Sequence, residues 1–256
     1  MKSEILFGVH PVYEVIRAKR RKILEVILTS GKRSGRLSDI ERQALKAGIR
    51  VEQMPPDRLS AVSSSQRHQG VAARVGSLPL FDLRDLTDFS IDGGCPLLLL
   101  LDQVLDPHNF GAIIRTALCA GVDGILCPRD RAAAPTPVVS RISAGAMEHA
   151  RIARVTNLVS AIKTLKEKRF WVAGMDMAGE KSVFDADFSG PLAIVIGGEE
   201  KGIRPLVKKK CDFLVSIPQA NALNSLNASV AGAVVMYEVF RQRQSQKRVN
   251  HSADTR

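Results

Sequence analysis

The side chains best suited to chemistry lie in three polar turns, each following an apolar run. The first turn follows Leu97–Leu101 and reads Asp102-Gln103-Val104-Leu105-Asp106-Pro107-His108-Asn109-Phe110-Gly111. Asn109 stands where a helix N-cap belongs, and Gly111 lets another backbone come close. Arg115 follows among Ile113, Ile114, Ala117 and Leu118, where a guanidinium calls for a counter-charge or a polyanion. The second turn is Gly197-Gly198-Glu199-Glu200-Lys201-Gly202. Its outer glycines have P-loop spacing, but Ile203 and Arg204 stand where Lys and Ser/Thr are needed, and two carboxylates would repel a triphosphate. A nucleotide triphosphatase is excluded, and no dinucleotide G-x-G-x-x-G is formed. The third turn follows Phe213–Ile217 and carries Pro218, Asn221, Asn224, Ser225, Leu226 and Asn227.

The elements that must position these turns can be read from periodicity. From Pro96 onward the pattern alternates strand and helix. Continuous apolar runs at Leu97–Leu101, Gly124–Cys127, Phe170–Ala173, Leu192–Ile196 and Phe213–Ile217 predict strands buried on both faces. Phe110–Ala120, Pro137–His149 and Leu158–Lys168 predict helices, the last capped by Asn157. A further helix starts near Ser225, with Leu226, Val230, Ala233, Val234, Tyr237 and Phe240 at 3.6 spacing. The fold class is therefore α/β, with a mainly parallel sheet covered by helices. Ligands in such sheets bind beyond the carboxyl ends of the strands, where the three turns fall.

A small α/β domain precedes this one, over residues 1–76. Pro11 suits a helix start, and Val12, Val15 and Ile16 continue it. Leu24–Leu28, Ile49–Met54 and Val71–Val75 predict strands. Ser38 and Glu41 suggest a capping box for a helix that Gly48 ends. Residues 77–95, with Pro79, four aspartates and Gly93-Gly94, look like a linker. The tail, 244–256, is polar and is expected to lack structure.

Charge points to a polyanion. The net charge is +11, and residues 1–76 hold 15 Lys+Arg against 7 Asp+Glu, a net of +8. Arg17, Arg20, Arg21, Lys22 and Arg33 are the expected RNA contacts, with Lys208, Lys209 and Lys210 as a second basic patch. Phe7 and Tyr13 are the only aromatics in that region, which disfavours a single-strand stacking platform and favours folded RNA read by shape. Cys95, Cys119, Cys127 and Cys211 form no C-x-x-C pair, and the five histidines are scattered, so no metal is implied. No secretory signal opens the chain, and no apolar run could span a bilayer, so a cytoplasmic protein is expected.

Taken in order, N-x-G-x-x-x-R, G-x-E-x-x-G and I-P-x(6)-S-L-N-x-S-x-A resemble the SpoU (TrmH-like) branch of the SPOUT RNA methyltransferases over residues 96–243. The first region, with Phe7-Gly8-Val9-His10-Pro11-Val12 and His68-Gln69-Gly70-Val71, resembles the small RNA-binding domain of the ribosomal RNA ribose methyltransferases in that family. The resemblance implies a C-terminal SPOUT domain with a deep trefoil knot, a homodimer completing its site across the interface, and S-adenosylmethionine as co-substrate without metal. Cofactor contacts are implied at Gly174, Gly197, Ile217 and Leu226, with Gly197 leaving room for an adenosine. Asn109, Arg115, Glu199, Ser225 and Asn227 are the implied catalytic set. A ribose hydroxyl is a weak acid and needs proton removal or polarisation. Because arginine stays protonated, Arg115 is read as an anchor for phosphate and developing alkoxide, with deprotonation the weaker alternative. The expected substrate is a guanosine of 23S ribosomal RNA. Transfer RNA is the alternative, and a non-enzymatic ribosome assembly factor a more distant one. Gln219–Asn224 departs from the Gly/Ser-rich loop expected before Ser225.

Overall fold

The computed structural model describes residues 3–31, 34–88, 95–220 and 225–253, with side chains of the final helix described to residue 246. The chain forms two units: Met1–Pro79 with Ala134–His149, and Leu80–Ala133 with Ala150–Arg256.

The first unit runs β1 (Ser3–Phe7), α1 (Val9–Ala18), β2 (Ile23–Thr29), α2 (Gly35–Lys46), β3 (Val51–Met54), α3 (Pro56–Ser63) and β4 (Val71–Gly76). Its sheet order is β1-β4-β2-β3, with β4 antiparallel to both neighbours and β2 parallel to β3. Val12, Val15 and Ile16 of α1 and Leu37, Ile40 and Ala44 of α2 pack with Leu6, Val26, Leu28, Val71 and Val75. Leu59 of α3 packs with Phe7, Ile27 and Ala72, the residues of opposite parity on those strands. The second helix begins at Gly35, after Ser34, so Ser38 lies inside it rather than capping it. Gly48, at φ 69°, follows its end as expected.

The second unit opens with α4 (Leu83–Thr87), β5 (Leu97–Asp102), α5 (Pro107–Cys119) and β6 (Gly124–Pro128). Part of the expected linker is thus ordered: Phe81 bridges Ala153, and Asp85 accepts the Asp82 N–H at the start of α4. Residues 89–94 lie outside the described residues. The first unit then contributes α6 (Pro137–Ile142) and a short 3₁₀ turn at Ala146–Glu148. The expected single helix over Pro137–His149 breaks where Ala144 and Gly145 turn left-handed, at φ 51° and 82°. A Cβ on Gly145 would stand 2.7 Å from the Glu14 side chain, so only glycine fits there. Placing this segment in the C-terminal domain, as the sequence suggests, differs from the contacts, because Glu148 is held by residues of the first unit. Arg21 Nε and Nη2 donate to its two carboxylate oxygens at 2.8 and 2.9 Å, and Ser140 Oγ donates at 2.7 Å.

The second unit continues with β7 (Ile152–Val155), α7 (Leu158–Glu167), β8 (Trp171–Met175), β9 (Lys181–Ser182), β10 (Leu192–Gly197), α8 (Pro205–Lys208), β11 (Phe213–Ser216) and α9 (Ala228–Ala253). Asn157 caps α7, accepting from the N–H of Val159 and Ser160. The sheet order is β7-β6-β5-β10-β8-β11-β9, every pairing parallel. β5 and β10, adjacent in space and far apart in sequence, mark the switch point of the sheet. The final helix continues through the polar tail to Ala253, because its Lys, Arg and Gln residues are good helix formers and neither Gly nor Pro intervenes after Gly232. No helix among the described residues is long and apolar enough to cross a membrane.

Candidate active site

The three turns meet at the carboxyl ends of β5, β10 and β11. Asp106, not Asn109, caps α5, accepting the His108 N–H at 2.9 Å. Asn109 therefore sits in the first turn of that helix, buried, with its side chain free to reach across. Its amide nitrogen donates to Glu199, and its oxygen accepts from Asn227 Nδ2 at 3.0 Å. Asn227 Nδ2 also donates to Glu199 Oε1 at 2.9 Å. Asn227 Oδ1 accepts from Ser229 N, Ser229 Oγ and Val230 N, so Asn227 caps α9, which starts at Ala228 rather than at Ser225. Residues 118 positions apart are thereby joined through one carboxylate.

Asp102 sets where that carboxylate stands. It is fully buried at the end of β5 and accepts from Arg204 Nε at 2.7 Å and Arg204 N at 2.8 Å. Its backbone oxygen accepts the Gly198 N–H at 2.9 Å. Both ends of the 198–204 loop are thus tied to one residue. Gly202 N–H donates back to the Gly198 oxygen, closing the loop.

A cavity of about 430 Å³ lies on one side of this loop. Met175, Asp176, Ile196, Gly197, Ile217, Ser225, Leu226, Ala228 and Ala231 line it, together with the loop itself. Burial works against the charge of Asp176, but the Lys208 ammonium at 2.8 Å and the Ala178 N–H hold its carboxyl below the ordinary range. A second cavity, of about 330 Å³, lies against Gln103, Val104, Leu105, Asp106 and Asn109, and shares Gly198–Gly202 and Ala228 with the first.

Of the expected residues, Asn109, Glu199 and Asn227 touch, and Gly197, Ile217, Ser225 and Leu226 line the larger cavity. Gly174 does not: it is buried one residue before Met175, and a Cβ there would meet Leu214 and Cys211. Gly197 lacks a side chain for a different reason from the expected one. A Cβ would stand 2.2 Å from the Gly202 carbonyl carbon, so the space is filled by the chain's own backbone. Arg115 is exposed on α5 and lines neither cavity. Asp102, Asp176 and Arg204 were not singled out. Asp102 and Asp176, standing directly at strand ends, carried the available signal.

Among the expected RNA contacts, Arg17 and Lys22 are exposed, and Arg17 pairs with Glu14 at 3.5 Å. Arg20 is half-buried and donates to the backbone oxygens of Glu148 and Pro79. Arg21 is instead sealed inside, its side chain and that of Glu148 each 1% exposed, with Glu4 as a further partner at 2.7 Å. It is spent on carboxylates and offers nothing to a phosphate. Arg33 and residues 221–224 lie outside the described residues. No cluster that could hold a metal ion occurs among the described residues.

The family model of the SpoU rRNA Methylase family matches residues 96–237. The chain belongs to this family. A second model, RNA 2′-O ribose methyltransferase substrate binding, matches residues 5–80 of this SpoU protein. RlmB of Shewanella oneidensis, named a 23S rRNA (guanosine-2′-O-)-methyltransferase, is 38% identical over 244 residues, spanning 95% of this chain and 99% of its own. RlmB of Ralstonia nicotianae, of the same name, is 40% identical, spanning 94% and 97%. Among solved structures, the SpoU methyltransferase AviRb from Streptomyces viridochromogenes in complex with AdoMet superposes with a TM-score of 0.80 at 27% identity, covering 95% of this chain and 91% of its own.

Proposed function

We propose that this SpoU protein transfers a methyl group from S-adenosylmethionine to the ribose 2′-hydroxyl of a guanosine in 23S ribosomal RNA, in the cytoplasm. The observation that carries the reading is the Asn109–Glu199–Asn227 cluster at the wall of a cavity of about 430 Å³. That volume lies within the range of small-molecule sites, about 300–1,000 Å³. Ile196, Ile217, Leu226, Ala228 and Ala231 suit an adenosine, while Asp176 and Glu199 suit a cationic ligand. When bound, S-adenosylmethionine supplies a methyl group on a sulfonium, already a good leaving group.

The chain's own task is alignment and care of the hydroxyl proton. Glu199, oriented by two asparagine amides, accepts a hydrogen bond from the ribose. Asn109 and Asn227 keep its carboxylate turned toward the acceptor, and Ser225 completes the polar set. Arg17 and Lys22 supply phosphate contacts.

Arg115 enters as an anchor for phosphate and alkoxide through a homodimer, its guanidinium serving the partner's site. Helix α9 supports this assembly because it is apolar on two faces. Ala228, Val235, Met236 and Val239 are buried in the chain's own core, whereas Val230, Tyr237 and Phe240 are exposed. The stripe that periodicity picks out from Leu226 to Phe240 runs through this second, outward face, and an exposed apolar face of this kind asks for cover. A deep trefoil knot belongs to the same reading.

Calorimetry with S-adenosylmethionine and ribose-methylation mapping of RNA from cells lacking the protein test the proposal. Cofactor binding with loss of one 23S guanosine 2′-O-methyl upholds it. A lost transfer RNA methyl would move the substrate, and no cofactor binding would leave an RNA-binding assembly factor. Tyr237→Glu is expected to yield a monomer by sedimentation and to abolish turnover.

A further inference from the structure

We infer that the smaller cavity, of about 330 Å³, is the seat of the acceptor nucleoside, with Leu105 packing on its base and Gln103 hydrogen-bonding to it; this rests on the methyltransferase reading above. Direct displacement needs two seats that meet at one point, because the donor carbon and the accepting oxygen must lie in line. The two cavities have that relation. They share the wall Gly198–Gly202 and Ala228, and Asn109, which lines only the smaller one, donates to Glu199, which lines both.

The far wall of the smaller cavity combines an exposed apolar side chain with an amide unengaged among the described residues. Leu105 is 61% exposed at its edge, among polar neighbours. A base taken out of an RNA helix is held by apolar stacking together with hydrogen bonds to its edge. Gln103, two residues earlier, carries an amide that makes no hydrogen bond among the described residues, so both its donor and its acceptor are available. Its backbone is held at φ 62°, a conformation that costs a non-glycine residue energy and tends to persist at sites of function. The Gln103 carbonyl oxygen would stand 2.3 Å from a Cβ on Gly198, so the turn carrying Gln103 and the loop carrying Glu199 are packed backbone to backbone. A nucleoside resting on Leu105 and Gln103 is therefore fixed relative to Glu199 by contacts that leave little play.

The test uses the full chain with Leu105→Ala, Leu105→Glu and Gln103→Asn, asparagine being tolerant of the left-handed backbone at that position. S-adenosylmethionine affinity is measured by calorimetry, RNA concentration dependence by methyl transfer, and guanosine 5′-monophosphate binding by shifts of labelled leucine methyls. Leu105→Ala is expected to raise KM for RNA by about fivefold or more, the lower end of what a lost base-stacking contact removes. Leu105→Glu should raise it further, and the cofactor affinity of all three variants should stay within about twofold of the parent, a difference under 0.5 kcal/mol. Guanosine monophosphate should shift the Leu105 methyls and leave those of Leu226 unmoved. Weakened cofactor binding with an unchanged KM for RNA would reassign the cavity to the donor and overturn the inference, as would unchanged values of both. Were the parent protein inactive on RNA and blind to the cofactor, the methyltransferase reading would fail. The Leu105 methyl shifts would then still decide whether the cavity takes a nucleoside.

Discussion

Replacing Arg21 by alanine separates a structural arginine from an RNA-binding one. Arg21 donates to both oxygens of Glu148, at 2.8 and 2.9 Å, to Glu4 at 2.7 Å and to the Gly76 oxygen at 3.2 Å. After truncation, Glu148 would keep only the Ser140 hydroxyl as a side-chain donor, while remaining buried. Removing one partner of a buried pair strands the other charge and costs about 3–5 kcal/mol. Glu4, a quarter exposed, can rehydrate and adds little to that figure. Urea unfolding of the full chain, followed by fluorescence of a tryptophan placed at Tyr13, should show the first unit's midpoint falling by about 1–5 M, given a slope of roughly 1–3 kcal/mol/M. Under conditions where the variant is still folded, the salt dependence of RNA binding should match that of the parent. Lys22→Ala should do the reverse, keeping stability and lowering the magnitude of the log–log salt slope by about 1. An Arg21→Ala protein with unchanged stability and a reduced salt slope would refute the reasoning.

Three further outcomes follow from the second unit. Arg204→Ala leaves the fully buried Asp102 carboxylate with a backbone N–H alone, but the arginine is itself 41% exposed and water can enter in its place, so the cost should be about 1–3 kcal/mol, read by thermal unfolding, with methyl transfer falling as the Glu199 loop loosens. Gly197→Ala should abolish cofactor binding in calorimetry, because its Cβ would collide with the Gly202 and Ile203 backbone rather than with any ligand. Desolvation pushes the Cys127 and Cys211 thiols up to about 11, so in alkylation at pH 8 mass spectrometry should find Cys95 and Cys119 labelled first and the other two protected until the chain unfolds.

The second unit was largely legible because parallel strands buried on both faces leave continuous apolar runs. β5, β6, β8, β10 and β11 each fall within two residues of the expected span. β7 was missed, since Ile152–Val155 is interrupted by Arg154, whose guanidinium turns back to the Pro128 and Arg129 oxygens. The meeting of Asn109, Glu199 and Asn227 could be anticipated only through the family resemblance that the three ordered motifs carry. The Asp102–Arg204 tie could not, because a buried carboxylate and its partner 102 positions away leave no periodic trace. Charge clustering misled at Arg21 for a similar reason: composition counts a guanidinium without knowing whether a carboxylate elsewhere has already claimed it. The outward apolar stripe of α9 was visible, but a sequence cannot say which of two greasy sides faces home.

Because Ala134–His149 folds with the N-terminal residues, the polypeptide visits its first unit twice, and one proteolytic nick near residue 80 cannot separate two intact bodies. A fragment starting at Leu80 would carry an orphaned insert whose Val139, Met147 and Glu148 have lost their hosts. A knockout of the amino-terminal region would thus injure the catalytic piece as well as remove an RNA grip, and transplanting that region between relatives would require moving both stretches together.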